Sequence, residues 1–276
     1  MGTSASSKGP NGSNPLVPPW AEDGDTVVIG GGGDDQETNM EVSNSDVQED
    51  IPELKNESPF STRFLSARRA FGDYAKSGNR DDLKNSLGHY ARNSTGKGVG
   101  AAKRLASGIT AGTGLYGLLS GNSVNTSSGA LALADLSGLT TDQAIERIVT
   151  HLTPDSADAD LVRTAMNFAL SEALQESEYI DEVSFTPDLM GEVFTFYLTD
   201  LVFQQVIIDM GKAWFHAETA MRQIHMENEL RELIRIIVDG TLEKISGGDV
   251  SNISQSQITQ VQISAIRQTI TEWERF

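Results

Sequence analysis

The chain has 276 residues, with 21 lysines and arginines against 39 aspartates and glutamates, and a formal net charge of −18. It contains no cysteine, which excludes a disulfide scaffold, a cysteine-ligated zinc site and a thiol nucleophile. The acidic balance argues against a protein that coats nucleic acid, because a negative surface repels phosphate. No signal peptide is recognisable at the start, so we expect a cytoplasmic protein.

The charge is divided unevenly along the chain. Residues 1–59 carry two bases and twelve acids (net −10), residues 60–116 carry ten and three (net +7), and residues 117–276 carry nine and twenty-four (net −15). This pattern predicts a flexible N-terminal tail at 1–59, a basic glycine-rich helical segment at 60–120 and an acidic α-helical bundle at 121–276.

The tail consists mostly of Ser, Gly, Pro, Asn, Asp and Glu. Such a composition cannot bury enough apolar surface to offset its backbone entropy, so we expect disorder. Two apolar islands interrupt it. Pro15-LVPPW is typical of a short polyproline II stretch that ends on Trp20, and Thr26-VVI could pair as a strand with a partner.

The basic segment predicts three elements. Apolar residues at helical spacing predict a helix over 61–77 that ends at Gly78. A second helix begins near Asp82, with Leu83, Leu87 and Tyr90 on one face. A loop at 93–98 then leads into a single helix that reaches about residue 119, in which Gly108 and Gly112 would let a neighbouring helix approach closely.

The acidic segment predicts about five helices after a polar linker at 121–129. Thr140 or Thr141 should cap the first of them. The expected helices cover about 141–151, 161–174, 187–208, 216–245 and 254–276, with Gly247 and Gly248 breaking the fourth. No run of alternating residues is long enough for a sheet, so the predicted fold class is all-α, a helical bundle preceded by a long disordered acidic N-terminal tail.

The most apolar stretch, Val193 to Met210, holds Asp200, Gln204, Gln205 and Asp209. A membrane span needs about 20 predominantly apolar residues. We therefore expect no membrane-spanning segment.

Two glycine motifs are better explained by packing than by nucleotide binding. Gly96-Lys97 is followed by Gly98 instead of Ser or Thr, and Ala91 occupies the position of the first P-loop glycine. The GxGxxG pattern at Gly112, Gly114 and Gly117 lacks the preceding strand of a dinucleotide fold, so it indicates helix packing.

The basic segment offers a possible anion-contact set, with tyrosines interleaved as in proteins that bind single strands. The set comprises Arg68, Arg69, Arg92, Lys97, Lys103 and Arg104. These cations can also pair with the acidic segments of the same chain or with a partner protein. The sequence leaves both uses open, although the net charge of −18 argues against nucleic acid as a partner.

No catalytic residue and no metal site is predicted. The four histidines, His89, His151, His216 and His225, contain no pair four residues apart, the spacing that places two imidazoles on one metal ion. His225 and Glu229 have this spacing, but a single pair does not make a site. The carboxylates of the acidic segment could belong to an unrecognised enzyme, and nothing else in the sequence favours one.

The N-terminus carries its own chemistry. Gly2 follows Met1, so removal of the methionine would leave an α-amine whose ordinary pKa of about 8 keeps part of it neutral and nucleophilic. The start also matches the myristoylation pattern MGxxx[ST]. An ordinary unstructured start remains the simplest alternative.

Several strings taken together resemble the QatB family, the small non-enzymatic component of the bacterial Qat anti-phage system. They are Met1-GTSASSKGPNGSNPLVPPW, Phe64-LSARRAFGDYAKSG, Leu87-GHYARNSTGKGVGAAKRL and Leu139-TTDQAIERIV. The resemblance covers roughly residues 1–20, 60–120 and 135–210. The C-terminal helices are less diagnostic.

The resemblance implies a specific role. The Qat system also encodes an ATPase, a nuclease similar to TatD and a QueC-like enzyme. This last enzyme is similar to enzymes that make 7-cyano-7-deazaguanine from a carboxylated deazapurine and ATP. By resemblance, the QueC-like enzyme would join such a deazapurine to Gly2, with Thr3 and Ser4 as recognition residues. The residues expected to contact this partner are Gly2, Thr3, Ser4, Pro18, Pro19 and Trp20.

The chain itself would need no cofactor beyond that adduct, and the ATPase is a possible second partner. A nucleic-acid or nucleotide sensor that uses the basic segment is the alternative function.

Overall fold

The computed structural model describes residues 63–94, 97–247, 249–250 and 253–276. The N-terminal tail, with the predictions for Gly2 to Trp20, lies outside the described residues. The described part contains nine α-helices and one β-hairpin, which confirms the predicted all-α class.

The helix bounds are as follows. The first four helices are α1 (Leu65–Ser77), α2 (Arg80–Asn93), α3 (Lys97–Arg104) and α4 (Ala106–Leu119). The remaining five are α5 (Thr141–Leu152), α6 (Ala159–Ala173), α7 (Pro187–Met210), α8 (Ala220–Ser246) and α9 (Gln255–Trp273).

The helix ends follow the local sequence. The Thr140 hydroxyl accepts a hydrogen bond from the Gln143 backbone N–H, and the Gln143 side chain accepts one from the Thr140 N–H, so α5 begins with a capping box. Gly78 adopts a left-handed conformation at the end of α1, with φ 74°. Gly247 does the same after α8, with φ 65°. These three boundaries confirm the predictions.

One hydrophobic core joins the helices of the basic segment to those of the acidic segment. Helix α7 packs against both α6 and α8, while α9 packs against α3, α4 and α8. The core includes the aromatic rings of Phe71, Tyr197 and Trp273, each of which is fully buried. The +7 and −15 segments therefore pack against each other.

Close approach at two glycines holds α4 against its neighbours. A Cβ atom added to Gly108 would lie 2.6 Å from Cδ1 of Leu201, and one added to Gly112 would lie 2.7 Å from Cε1 of Tyr197. Real Cβ atoms essentially never come this near to other heavy atoms, so a side chain at either position would force its neighbour to shift. The GxGxxG pattern lies inside α4, which confirms that it serves helix packing.

Several local predictions were wrong. The helix predicted from residue 61 begins at Leu65, after a turn at residues 63–64, and α3 begins at Lys97, inside the predicted loop at 93–98. The single helix expected up to residue 119 is divided at Leu105, where α3 ends and α4 begins. The expected linker contains an antiparallel hairpin of β1 (Val124–Thr126) and β2 (Gly129–Leu131). The helix expected from residue 216 starts at Ala220, after a 3-10 helix at Gly211–His216. Strands of three residues and a six-residue 3-10 helix are too short to show a period in the sequence.

The apolar stretch around helix α7 is longer than the sequence analysis indicated. Together with the 3-10 helix that follows, it forms a stretch, Pro187–His216, that is long and apolar enough to cross a membrane, and it is the only such stretch among the described residues. However, 67% of its most apolar window is buried inside the protein. Core packing thus accounts for its hydropathy.

Candidate functional site

The six predicted anion-contact residues lie on three helices. Arg68 and Arg69 are on α1, Arg92 is near the end of α2, and Lys97, Lys103 and Arg104 are on α3. The structure does not gather them into one open surface. Four of them reach groups on α7 or at the C-terminal end of the chain, within the acidic segment.

The strongest of these contacts centre on Asp209, near the end of α7. The Arg104 Nη2 donates to both carboxylate oxygens, at 2.6 Å to Oδ1 and 2.8 Å to Oδ2. The Tyr90 hydroxyl donates to Oδ2 at 2.8 Å. Nε of Arg68 donates to the backbone carbonyl of the same aspartate at 2.8 Å. Asp209 thus connects α1, α2 and α3 to α7 through charge-assisted hydrogen bonds.

Aromatic rings cover this cluster. Phe64 stacks on Tyr90 with 4.9 Å between ring centroids, and Trp273 meets Tyr90 edge-on at 6.1 Å. The Arg104 guanidinium lies 5.8 Å from the Phe64 ring centroid. Only 9% of Asp209 is exposed. The cations here are already paired inside a largely closed site.

Burial and the neighbouring charges shift the pKa values of Tyr90 and Arg104. Burial raises the pKa of Tyr90, and the neighbouring Asp209 carboxylate raises it further. Burial by itself would lower the pKa of Arg104, but the hydrogen bond and charge of Asp209 outweigh it, so the pKa is raised. Tyr90 therefore remains a neutral hydrogen-bond donor and Arg104 remains charged, which suits a structural ion pair better than proton transfer.

Lys97 and Arg92 converge on Glu274, just after α9. The Lys97 Nζ lies 3.3 Å from Glu274 Oε2, and Nη1 of Arg92 donates weakly to the Glu274 carbonyl at 3.5 Å. The Lys97 side chain is 74% exposed, so solvent screens its ion pair.

Arg69 and Lys103 behave differently. Both are exposed, and neither makes a hydrogen bond or an ion pair with the part of the chain that the structure describes. Of the two uses that the sequence left open, the geometry favours pairing within the chain for the other four cations. Among the described residues, these six cations do not gather into one anion site.

Sequence reasoning missed a second buried ion pair, which lies between α7 and α8. Asp200 is fully buried, and its Oδ1 accepts from Nε of Arg231 at 3.0 Å and from Nη2 at 2.9 Å. The Arg231 guanidinium also lies 3.8 Å from the centroid of the Phe203 ring. An aspartate inside an apolar helical run was the signal that could have revealed this pair.

His225 and Glu229, which have metal-ligand spacing in the sequence, do not belong to a metal site in the part of the chain that the structure describes. Glu229 accepts a short hydrogen bond from the Tyr74 hydroxyl, and Arg222 donates from Nη2 to the Tyr74 backbone carbonyl at 2.8 Å. Among the described residues, no three or more His, Asp and Glu side chains are grouped so as to hold a metal ion.

The surface of the described part of the chain carries several cavities. One of about 520 Å³ lies between the start of α7 and the end of α8 and carries Asp188, Glu192 and Glu243. A second of about 400 Å³ lies between the hairpin and α5. A third, of about 630 Å³, is an apolar groove between α8 and α9.

Comparison with known proteins identifies the family. None of the curated proteins matches the chain, and no solved structure matches it either. The model of one protein family does match, over residues 96–272, and this range includes the C-terminal helices that the sequence resemblance had treated as less diagnostic. The chain therefore belongs to the family described as Qat anti-phage system associated protein QatB.

Proposed function

We propose that this member of the Qat anti-phage system is a cytoplasmic, non-catalytic component whose N-terminal glycine is the acceptor for a deazapurine added by a QueC-like partner enzyme. Family membership supports the defence role, and the family is described as a system-associated protein rather than as an enzyme. The Met1-Gly2-Thr3-Ser4 start is the observation that carries the modification itself.

The proposed reaction is an amide synthesis. The partner activates a deazapurine carboxylate with ATP as an acyl adenylate and releases pyrophosphate. The neutral α-amine of Gly2 attacks the acyl carbon, AMP leaves, the amine loses a proton, and an amide bond forms. An α-amine suits this step because its ordinary pKa is about 8, whereas that of a lysine side chain is about 10.4.

A division of labour between the two parts of the chain supports the proposal. The N-terminal composition favours an arm that can thread into an active site, whereas the described helices use their buried polar groups to hold one another. The arm residues Thr3, Ser4, Pro18, Pro19 and Trp20 would contact the QueC-like enzyme. The helical body would connect the arm to the rest of the system, including the ATPase.

Intact-mass spectrometry tests the modification. The chain is purified after co-expression with the whole Qat system, and we expect a product that lacks Met1 and carries the deazapurine acid minus one water. Gly2→Pro removes the primary amine and should abolish both the added mass and phage protection. Lys8→Arg removes the nearest lysine amine and should leave both unchanged.

Two results would contradict the proposal. One is a chain that has lost Met1 but carries no added mass although the system protects its host. The other is added mass that persists in the Gly2→Pro protein and maps to a peptide without residue 2, because the acceptor would then be a different residue.

A further inference from the structure

The apolar groove between α8 and α9 is lined by residues at regular helical spacing. On α8, Leu233, Ile237, Gly240 and Lys244 recur every three or four residues, and Ser264, Gln268 and Glu272 line the α9 side. From residue 233 to residue 245 the groove follows α8 for about 18 Å, at 1.5 Å per residue. This length corresponds to more than three turns of a partner helix.

Large apolar side chains in the groove are exposed to solvent. Ile236 is 57% exposed, Ile245 is 46% exposed and Phe276 is 39% exposed. Single exposed apolar residues are common on protein surfaces, but several in one concave groove mark an interaction site.

Gly240 provides a second, independent observation. It lies in the interior of the 27-residue α8, where glycine is the least favourable residue apart from proline. A Cβ atom added there would meet nothing within 4 Å, whereas added Cβ atoms at Gly108, Gly112 and Gly117 would each meet a packed neighbour. Helix packing within the described residues thus explains Gly108, Gly112 and Gly117 but not Gly240. A small residue on an open helix face lets the backbone of a second helix approach closely.

The charges beside the groove indicate the kind of partner. Glu232, Asp239 and Glu243 form an exposed acidic edge of α8 next to Ile236 and Gly240, and Asp239 and Glu243 also line the cavity between α7 and α8. Lys244 is a cation within the groove lining itself. A second copy of the chain would bring the same acidic edge and the same net charge of −18, so its approach would be opposed. A helix with basic residues on one flank would complement this edge.

We propose that the groove between α8 and α9 binds one amphipathic helix with a basic flank, carried by another protein of the Qat system. The apolar stripe of that helix covers Ile236 and Ile237 and crosses α8 at Gly240. Its basic flank lies along Glu232, Asp239 and Glu243. This contact is separate from the Gly2 arm and does not depend on the proposed modification.

Binding measurements with two variants in the groove and one matched control test the proposal. The full chain is titrated against each of the other purified Qat proteins. Ile236→Glu and Gly240→Leu should each weaken the complex at least tenfold, whereas Ile224→Glu, an equally exposed position on α8 outside the groove lining, should leave it unchanged. Gly240→Leu replaces glycine by a strong helix former in open space, so its melting temperature should stay the same or rise. Misfolding would then not account for the lost binding.

Replacing Glu232 and Glu243 by lysine should cause a smaller loss of binding affinity, and this loss should disappear at high salt. The proposal is overturned if no other Qat protein binds, or if Ile236→Glu and Gly240→Leu bind as tightly as the natural chain. A concentration-dependent dimer that Ile236→Glu dissociates would assign the groove to a second copy and would also overturn it. The Gly2→Pro chain should bind normally, so failure of the groove and failure of the modification are distinguishable.

Discussion

Helix α7 carries two buried aspartates, and they serve different parts of the molecule. Asp200 is fully buried and pairs with Arg231 of the adjacent helix α8, within the acidic segment. Asp209 is 9% exposed and pairs with Arg104, which lies 105 residues earlier in the basic segment. Asp200 therefore stabilises helix packing inside the bundle, and Asp209 holds the two oppositely charged segments together.

The comparison shows that an ion pair between distant segments can be more accessible to solvent than one between neighbouring helices. The side chains of Arg104 and Asp209 are 28% and 10% exposed, against 23% and 0% for Arg231 and Asp200. A carboxylate without access to water depends entirely on its protein partners. The following variants test this difference, in order of expected effect.

Arg231→Met should have the largest effect. It leaves the Asp200 carboxylate buried with the Gln204 amide, which donates at 3.1 Å, as its remaining described hydrogen-bond donor. Loss of one partner of a buried pair costs about 3–5 kcal/mol of unfolding free energy, which urea denaturation would measure. The double variant Asp200→Leu, Arg231→Met removes both charges and should recover most of the loss. A single variant that loses less than about 1 kcal/mol would show that the pair contributes little.

Arg104→Met should cost less, about 2–3 kcal/mol in the same urea experiment. Asp209 retains the Tyr90 hydroxyl as a donor and has some access to water. Lys103→Met, at the exposed neighbouring position on α3, is the matched control and should stay within about 0.5 kcal/mol of the natural chain. Equal losses for Arg104→Met and Arg231→Met would contradict the proposed difference between the two sites.

Tyr90→Phe removes one donor from Asp209 and should cost about 1–2 kcal/mol at pH 7. The pKa of Tyr90 is raised in the folded protein, mainly by burial. As the pH rises above about 10, the unfolded tyrosine ionises while the folded one keeps its proton, so the contribution of Tyr90 to stability is lost with rising pH. The stability gap between the natural chain and Tyr90→Phe should therefore narrow between pH 7 and pH 10.5. A constant gap would contradict this linkage.

Arg163→Ala should have the smallest effect. Arg163 and Asp160 form a surface pair at 3.7 Å, with side chains 57% and 98% exposed. Solvent screening should limit the change to less than about 0.5 kcal/mol, measured as a shift of the urea midpoint. A loss comparable to that of Arg104→Met would mean that burial does not explain the ranking.

Local sequence signals predicted much of the fold. The helix cap at Thr140 or Thr141, the glycine terminations at Gly78 and Gly247, and the close approach at Gly108 and Gly112 were predictable from the sequence. Each depends on residues within a few positions or on the size of one side chain. The division at Leu105 and the short hairpin after α4 were not readable, since neither has enough residues to establish a period.

Of the two candidate interaction sites, one could be proposed from the sequence and the other only from the structure. The Gly2 arm was proposed from a string of adjacent residues, whereas the groove beside Gly240 required knowledge of which helices pack together. An added Cβ distinguishes Gly240, which has open space beside it, from Gly112, which has none, although both glycines look alike in the sequence.

The sequence by itself determined the helical class, the segregation of charge and the family resemblance, because helix periodicity, residue composition and matching strings are properties of the linear chain. Only the tertiary structure decided which charged residues form ion pairs and which remain exposed. Arg104 meets Asp209, Arg231 meets Asp200, and Arg69 and Lys103 remain exposed. Electrostatic and packing energies depend on distance in space and on access to water, and a sequence with no fold attached specifies neither.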